Sequence, residues 1–96
     1  MKFKEIAFQN QNSKRIYLDY ITRIQQVVKT LHKDNQQEVL LEINSHIYES
    51  LMSQSETGQE EVTRLLDILE KLGQPEVFLK SLVAEKKLEE ATRSFN

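Results

Sequence analysis

The stretch LLEINSHIYES, residues 40–50, contains the side chains of this sequence that come nearest to a chemical site. On a helix, Glu42 lies four residues before His46 and Glu49 three residues after it, so both carboxylates can approach the imidazole. Such a set could bind a metal ion or transfer protons. Helical metal sites draw carboxylates inward from several helices, however, and no other predicted helix has an acid within its apolar stripe. We therefore expect His46 to pack at a helix edge, with no metal ion and no other cofactor bound.

Covalent catalysis has weaker candidates. Ser45 and Ser50 flank His46 in the sequence, but neighbouring residues on a helix point in different directions. No Gly-x-Ser-x-Gly elbow is present, and the two glycines, at 58 and 73, are too isolated to form a phosphate-binding loop. The absence of cysteine excludes disulfides and thiolate metal sites. The sequence therefore predicts a protein that is not an enzyme and has no catalytic residues; a metal-dependent helical enzyme is the least favoured alternative.

The elements that would carry these residues are predicted to be helices. The chain has 96 residues, enough for one domain, and only two glycines and one proline, too few for a turn-rich β protein. Apolar residues recur at intervals of three and four, the spacing of amphipathic helices. These features predict an all-α fold in which residues 13–96 form a compact bundle with short loops and about four helices, at 14–32, 35–53, 58–72 and 75–92.

Several polar residues have predicted places in these helices. Ser13, Asp34 and Thr57 precede helical segments and fit the N-cap position, where a side-chain oxygen accepts a backbone N–H. Asn44 falls inside the apolar arc of the second helix and should need a hydrogen-bond partner. His32 ends the first predicted helix, where it would interact favourably with the helix C-terminus.

Residues 1–12 precede the helices and are predicted to form a flexible N-terminal arm. Phe3, Ile6 and Phe8 would allow this arm to dock on the core or on another subunit, after which QNQN reads as a linker. Together with His46, these three side chains form the predicted interaction surface. The partner would be a protein; the sequence predicts neither its identity nor the oligomeric state.

Charge is unevenly distributed along the chain. Residues 1–33 carry a net charge of +5, residues 34–62 carry −7, and residues 63–96 are balanced, which together give −2. One interpretation is a basic helix that packs beside an acidic one; the other is a face presented to an anionic partner such as a membrane or nucleic acid. We favour the first, because the basic block is diluted with isoleucine, tyrosine and glutamine.

Sequence-specific DNA binding is a further alternative, because the last two predicted helices meet at a tight glycine turn. A recognition helix needs basic and amide side chains near its N-terminus. The fourth helix instead begins PEVFLK, and the acidic block of residues 34–62 would repel a phosphate backbone. We therefore expect no nucleic acid as a partner.

The most specific feature of the sequence is LGQPE, residues 72–76, a helix stop followed at once by a helix start. We interpret Leu72, Gly73, Pro75 and Glu76 as a structural turn. With QQEVLLEINSHIYESL upstream, this motif resembles the HAAS family of bacterial helical signalling domains, over about residues 16–84. Members combine an acidic helix containing a histidine, an acid-rich loop, an apolar helix and a Leu-Gly-x-Pro-Glu turn.

The resemblance implies a cytosolic all-α sensing or adaptor module that commonly precedes transmembrane helices and is encoded beside PadR-like regulators. It implies no catalytic residues. Residues 1–12 fall outside the family's pattern, and no membrane span follows Asn96. If the resemblance holds, the chain is the cytosolic N-terminal part of a longer bacterial membrane protein, attached to the membrane by a C-terminal continuation. The sequence as given, which has no apolar run near the length of a membrane span and no signal peptide, predicts a cytoplasmic location.

Overall fold

The segments with amphipathic spacing of apolar residues form helices in the computed structural model, which describes residues 4–54 and 60–93. The helices in chain order are α1 (Gln11–Val28), α2 (Lys33–Ser53), α3 (Glu61–Leu72), α4 (Pro75–Phe78) and α5 (Lys80–Arg93). The single turn of α4 runs almost directly into α5, because Leu79 N–H bonds to the Pro75 carbonyl and Val83 N–H to the Leu79 carbonyl. The two together correspond to the fourth predicted helix, so the predicted all-α bundle is confirmed.

The first helix starts and ends earlier than predicted. Asn10, not Ser13, is the N-cap of α1, since its side chain accepts the Asn12 N–H at 2.8 Å. Ser13 is instead fully buried inside the helix. The helix ends at Val28, whose carbonyl accepts the Leu31 N–H in a tighter turn.

The second helix also starts earlier than predicted, at Lys33. Its N-cap is His32, which makes no side-chain capping bond, while Asp34 lies one residue inside the first turn. The predicted Asp34 cap is therefore wrong. His32 begins α2 instead of ending α1, because its carbonyl accepts the Gln36 N–H at 3.0 Å. Its own backbone N–H is donated to the Glu90 carboxylate at 2.8 Å.

The third helix begins at Glu61 with Glu60 as its N-cap. The Thr57 cap and the start at residue 58, both predicted from the sequence, lie outside the described ranges.

The core forms where α1 packs against α2, α3 and α4. Tyr17 and Ile24 from α1 meet Ile47 from α2 and Leu65 from α3, and all four are fully buried. The other buried apolar side chains are Tyr20, Ile21, Val28, Leu31, Val39, Leu40, Ile43, Leu51, Ile68, Leu69 and Leu79.

The molecule is elongated, with principal extents of 53 × 25 × 21 Å. Within α5 the one buried residue is charged, Glu90, and Leu88 is 70% exposed. In the described ranges, no helix combines the length and the apolar character that crossing a membrane requires.

Candidate functional site

The residues that could have formed a metal or acid–base site lie on the surface of α2. His46, Glu42 and Glu49 are all exposed. The described residues contain no group of three histidine, aspartate or glutamate side chains placed to hold a metal ion. Helical spacing places His46 at the border of the buried face of α2, beside the buried Val39, with its side chain exposed. The packing of its ring at this helix edge stays a prediction.

The N-terminal arm docks on its own chain through the Tyr17 hydroxyl. This group donates a short hydrogen bond to Asn44 Oδ1 and accepts the Ile6 N–H at 3.2 Å. Asn44 Nδ2 in turn donates to the Lys4 carbonyl at 2.8 Å. The partner that Asn44 was predicted to need is thus confirmed, and it joins α1, α2 and the arm.

A carboxylate holds the other end of the arm. Glu61, in the first turn of α3, accepts the Gln9 N–H at 3.2 Å and the Asn10 N–H at 3.0 Å. Burial alone would raise the pKa of Glu61. The hydrogen bonds that its carboxylate accepts have a larger combined effect in the other direction, so its pKa lies below the usual value. The predicted flexible arm is, over residues 4–10, a segment held against the helices, because its amides find acceptors there.

The apolar side chains of the arm divide between the core and the surface. The Phe8 ring lies 5.2 Å from the Tyr17 ring, tilted by 53°, and is partly buried with Ile6. Phe3, the third member of the predicted interaction surface, lies outside the described residues. His46 lies near the polar edge of α2 and makes no part of this contact.

An apolar stripe on α2 runs beside the arm. Leu41, Ser45, Tyr48 and Met52 follow one another at intervals of four, three and four, so they share one face of the helix. Tyr48 is 50% exposed and Met52 is 53% exposed. Two adjoining hollows, both bounded by Ile6, Ala7 and Tyr48, follow this stripe. We call the surface formed by Ile6, Ala7, Leu41, Ser45, Tyr48 and Met52 the α2 groove.

Carboxylates border the groove on the side opposite the arm. Helical spacing places Glu38, Glu42 and Glu49 next to the apolar stripe, between it and His46. Glu38 is paired with Lys86 of α5 at 3.5 Å. None of the ion pairs between described residues involves Glu42 or Glu49, so these two carboxylates give the groove an acidic rim.

The LGQPE segment links α3 to α4 at the far side of α1. Gly73 has φ 92° and ψ −177°, so its φ is positive, as a glycine stop requires, but its ψ is extended and not left-handed helical. Leu72 is partly buried and Pro75 is buried in the first turn of α4. Tyr20 donates its hydroxyl to the Gly73 carbonyl at 2.7 Å.

Glu76 completes the contact between this turn and α1. Arg23 binds the Glu76 carboxylate with two hydrogen bonds, of 3.0 and 2.7 Å. The Arg23 hydrogen bond is the main cause that lowers the Glu76 pKa, and burial raises the Tyr20 pKa to about 12. Both groups therefore keep one protonation state near neutral pH, and no proton-transferring pair forms here.

The end of α5 is attached to α2 by charges that sequence reasoning missed. Glu90, whose side chain is 8% exposed, accepts the His32 N–H at 2.8 Å and Asn35 Nδ2 at 2.6 Å. Arg93 lies 3.5 Å from Asp34. The sequence did contain a signal for this contact. Lys86, Glu90 and Arg93 are spaced by four and three residues, so they share one face of a helix within a segment that is rich in charge throughout.

Basic residues of α1 were predicted to offset the acids of α2. Among the described residues, however, no ion pair joins these two helices: the α2 acids Glu38 and Asp34 pair with Lys86 and Arg93 of α5. The helices α1 and α2 still pack together, through their apolar stripes.

Comparisons of this chain with protein-family profiles, with curated proteins and with solved structures found no match. The HAAS resemblance therefore stays a prediction. The feature best suited to a function is the α2 groove, because half-exposed apolar side chains beside a fixed wall can bind a macromolecular ligand.

Proposed function

We propose that this chain is a non-enzymatic adaptor domain that binds another protein through the α2 groove. The observation that carries the proposal is the half-exposed pair Tyr48 and Met52. A tyrosine and a methionine contribute large contact areas and adapt to a partner's shape, and both are enriched at protein interfaces. The arm supplies a wall whose backbone is fixed by Tyr17, Asn44 and Glu61, so the groove is formed before a partner arrives.

The proposal can be tested by site-specific photocrosslinking in cells of the source organism. A benzophenone amino acid replaces Tyr48 in one version of the full chain and Leu66 in another. Leu66 is a matched control, since it is 49% exposed on α3 and lies outside the groove. We expect a discrete crosslinked product from position 48 and none from position 66. Equal crosslinking at both positions, or none at position 48, would contradict the proposal.

We further propose that the domain is the cytosolic N-terminal part of a bacterial membrane protein with a signalling role. This proposal rests on the resemblance of residues 72–76 and the acidic helix to HAAS domains. Cell fractionation with an antibody against the domain tests it. A band well above 11.3 kDa in the membrane fraction is the expected result. A soluble band near 11.3 kDa would contradict it.

A further inference from the structure

The shape of the α2 groove selects among the kinds of segment that could fill it. The stripe from Leu41 to Met52 spans eleven helical rises, or about 16 Å, which matches about three turns of a second helix laid alongside. Its side chains repeat at intervals of three and four, the pattern that an amphipathic helix presents on its own apolar face. An apolar floor with this period is the usual receptor for a helix in a groove.

An added β-strand fits the groove less well. A strand would need free backbone groups along the arm. The N–H groups of Ile6, Gln9 and Asn10 instead donate to Tyr17 and Glu61, and the Lys4 carbonyl accepts from Asn44. The arm therefore turns these four backbone groups toward its own helices, so they are not available to pair with a strand in the groove.

The charge at the rim of the groove indicates which charge the bound segment should carry on either side of its apolar face. Glu42 and Glu49 border the stripe, and neither is in an ion pair with a described residue. Glu49 and Glu5 line the first hollow together with one cation, Lys4, while Glu61 and Arg64 line the second. With Glu42 beside the stripe, four carboxylates face two cations, and this excess of negative charge favours a ligand with positive flanks, because complementary charge raises the association rate and excludes like-charged partners.

From this period, backbone arrangement and charge, we infer that the α2 groove binds an amphipathic helix of the partner protein, with its apolar face on Tyr48 and Met52 and lysine or arginine beside Glu42 and Glu49. The inference rests on the proposed function and adds the chemistry of the partner. Tyr48 is the expected anchor, since it borders both hollows and is the half-exposed aromatic side chain of the groove.

A synthetic peptide can serve as the probe. It is an amphipathic helix with leucine at alternating spacings of three and four and lysine on both flanks; a second peptide carries glutamate in place of lysine, and a third is interrupted by proline. Fluorescence anisotropy measures the affinity of each peptide for the full chain. We expect the lysine helix to bind at least about tenfold more tightly than either of the other two.

Variants of the protein locate the binding. Tyr48→Ala is expected to weaken binding of the lysine peptide about tenfold or more, and Leu66→Ala to leave it within about twofold. Glu42→Gln with Glu49→Gln is expected to weaken binding about threefold and to reduce its salt dependence. Glu70→Gln with Glu85→Gln, a pair of exposed acids outside the groove, is the matched control. Circular dichroism checks that each variant is folded.

Three outcomes would overturn the inference. The first is equal binding of the lysine and glutamate helices. The second is binding that Tyr48→Ala leaves unchanged. The third is self-association of the wild-type chain in sedimentation that Tyr48→Ala abolishes, which would assign the groove to a second copy. Specific crosslinking at position 48 without binding of the lysine peptide would overturn this inference alone, whereas the absence of crosslinking at that position would contradict the proposed function itself.

Discussion

The Tyr17 hydroxyl connects three parts of the chain. It lies in the core, donates to Asn44 on α2 and accepts the Ile6 N–H from the arm. Burial is the main cause that raises the Tyr17 pKa, so the group stays a neutral donor at physiological pH. A buried tyrosine whose oxygen has both roles ties the arm to the helices in one specific register.

Removing that hydroxyl should destabilise the protein. Tyr17→Phe keeps the ring and leaves Asn44 Oδ1 and the Ile6 N–H without their partner. We expect the free energy of unfolding to fall by about 1–3 kcal/mol, measured by urea denaturation, and the Ile6 amide to exchange faster with solvent. Tyr48→Phe is the control, because Tyr48 is half exposed; its effect should be within about 0.5 kcal/mol. Equal effects of the two substitutions would contradict this role of Tyr17.

At the scale of elements, the connection between α3 and α4 depends on the backbone of one residue. A Cβ added at Gly73 would meet no atom within 4 Å, so space is available for a side chain there. The φ of 92° is the obstacle, since residues with a side chain rarely adopt it. Tyr20, bound to the Gly73 carbonyl, holds the turn in place and limits its relaxation.

Gly73→Ala should therefore destabilise the protein through strain alone, by roughly 1–3 kcal/mol, with a lower melting temperature. Gln74→Ala is the control: Gln74 is exposed with an ordinary φ of −75°, and its replacement should change stability by less than about 0.5 kcal/mol. A melting temperature of Gly73→Ala equal to that of the wild type would show that the turn relaxes without cost.

The attachment of α5 to α2 should weaken in acid. Burial alone would raise the pKa of Glu90. The hydrogen bonds from Asn35 and the His32 N–H, together with nearby positive charge, outweigh burial, so the pKa lies below its usual value. The pKa of Asp34 is also lowered, mainly by the Asn35 N–H and by Arg93. A lowered pKa in the folded protein means that the stabilisation is complete above the usual carboxyl value, about pH 4, and is lost as the pH falls through the folded value.

Amide exchange measured against pH can detect this change. We expect the protection of α5 to decrease below about pH 4 before that of α1 decreases. Across this contact, His32 faces Glu90, Glu38 faces Lys86 and Asp34 faces Arg93. In Glu90→Gln, protection of α5 should already be lower at neutral pH and should depend less on acid. Parallel loss of α1 and α5 protection in the wild type would contradict a separate attachment.

Helix interiors could be predicted from the sequence, as could the end of α3 at Leu72 and the start of α4 at Pro75, whereas both ends of α1 and the start of α2 could not. The stripe that contains Tyr17 and Ile24 follows from local spacing alone. At the start of α2, the His32 N–H binds Glu90, which is 58 residues away, and no local pattern could identify that contact. Asn44 shows both cases: its need for a partner was predictable, but Lys4, 40 residues away, was not identifiable as that partner.

At the scale of the whole molecule, the α2 groove could not be predicted, because it depends on contacts between segments far apart in the sequence. Leu41 and Tyr48 flank the apolar arc of α2, and the sequence leaves open which flank other elements cover. The arm reaches this flank and leaves Tyr48 half exposed, and α5 takes the acidic side near Glu38. The groove is thus a product of where arm residues 4–10 and α5 dock on α2.

Deleting residues 1–8 should therefore change both stability and binding. The deletion removes the partly buried Ile6 and Phe8 and the hydrogen bonds to Tyr17 and Asn44, which should lower the free energy of unfolding by roughly 2–4 kcal/mol in urea denaturation. It also removes one wall of the groove, so the shortened chain should bind the lysine peptide more weakly even at temperatures where it is fully folded. Lys4→Ala with Glu5→Ala in the full chain is the control for stability, because both side chains are exposed. If the shortened chain matched the full chain in stability and in peptide affinity, the arm would have no part in either the fold or the groove.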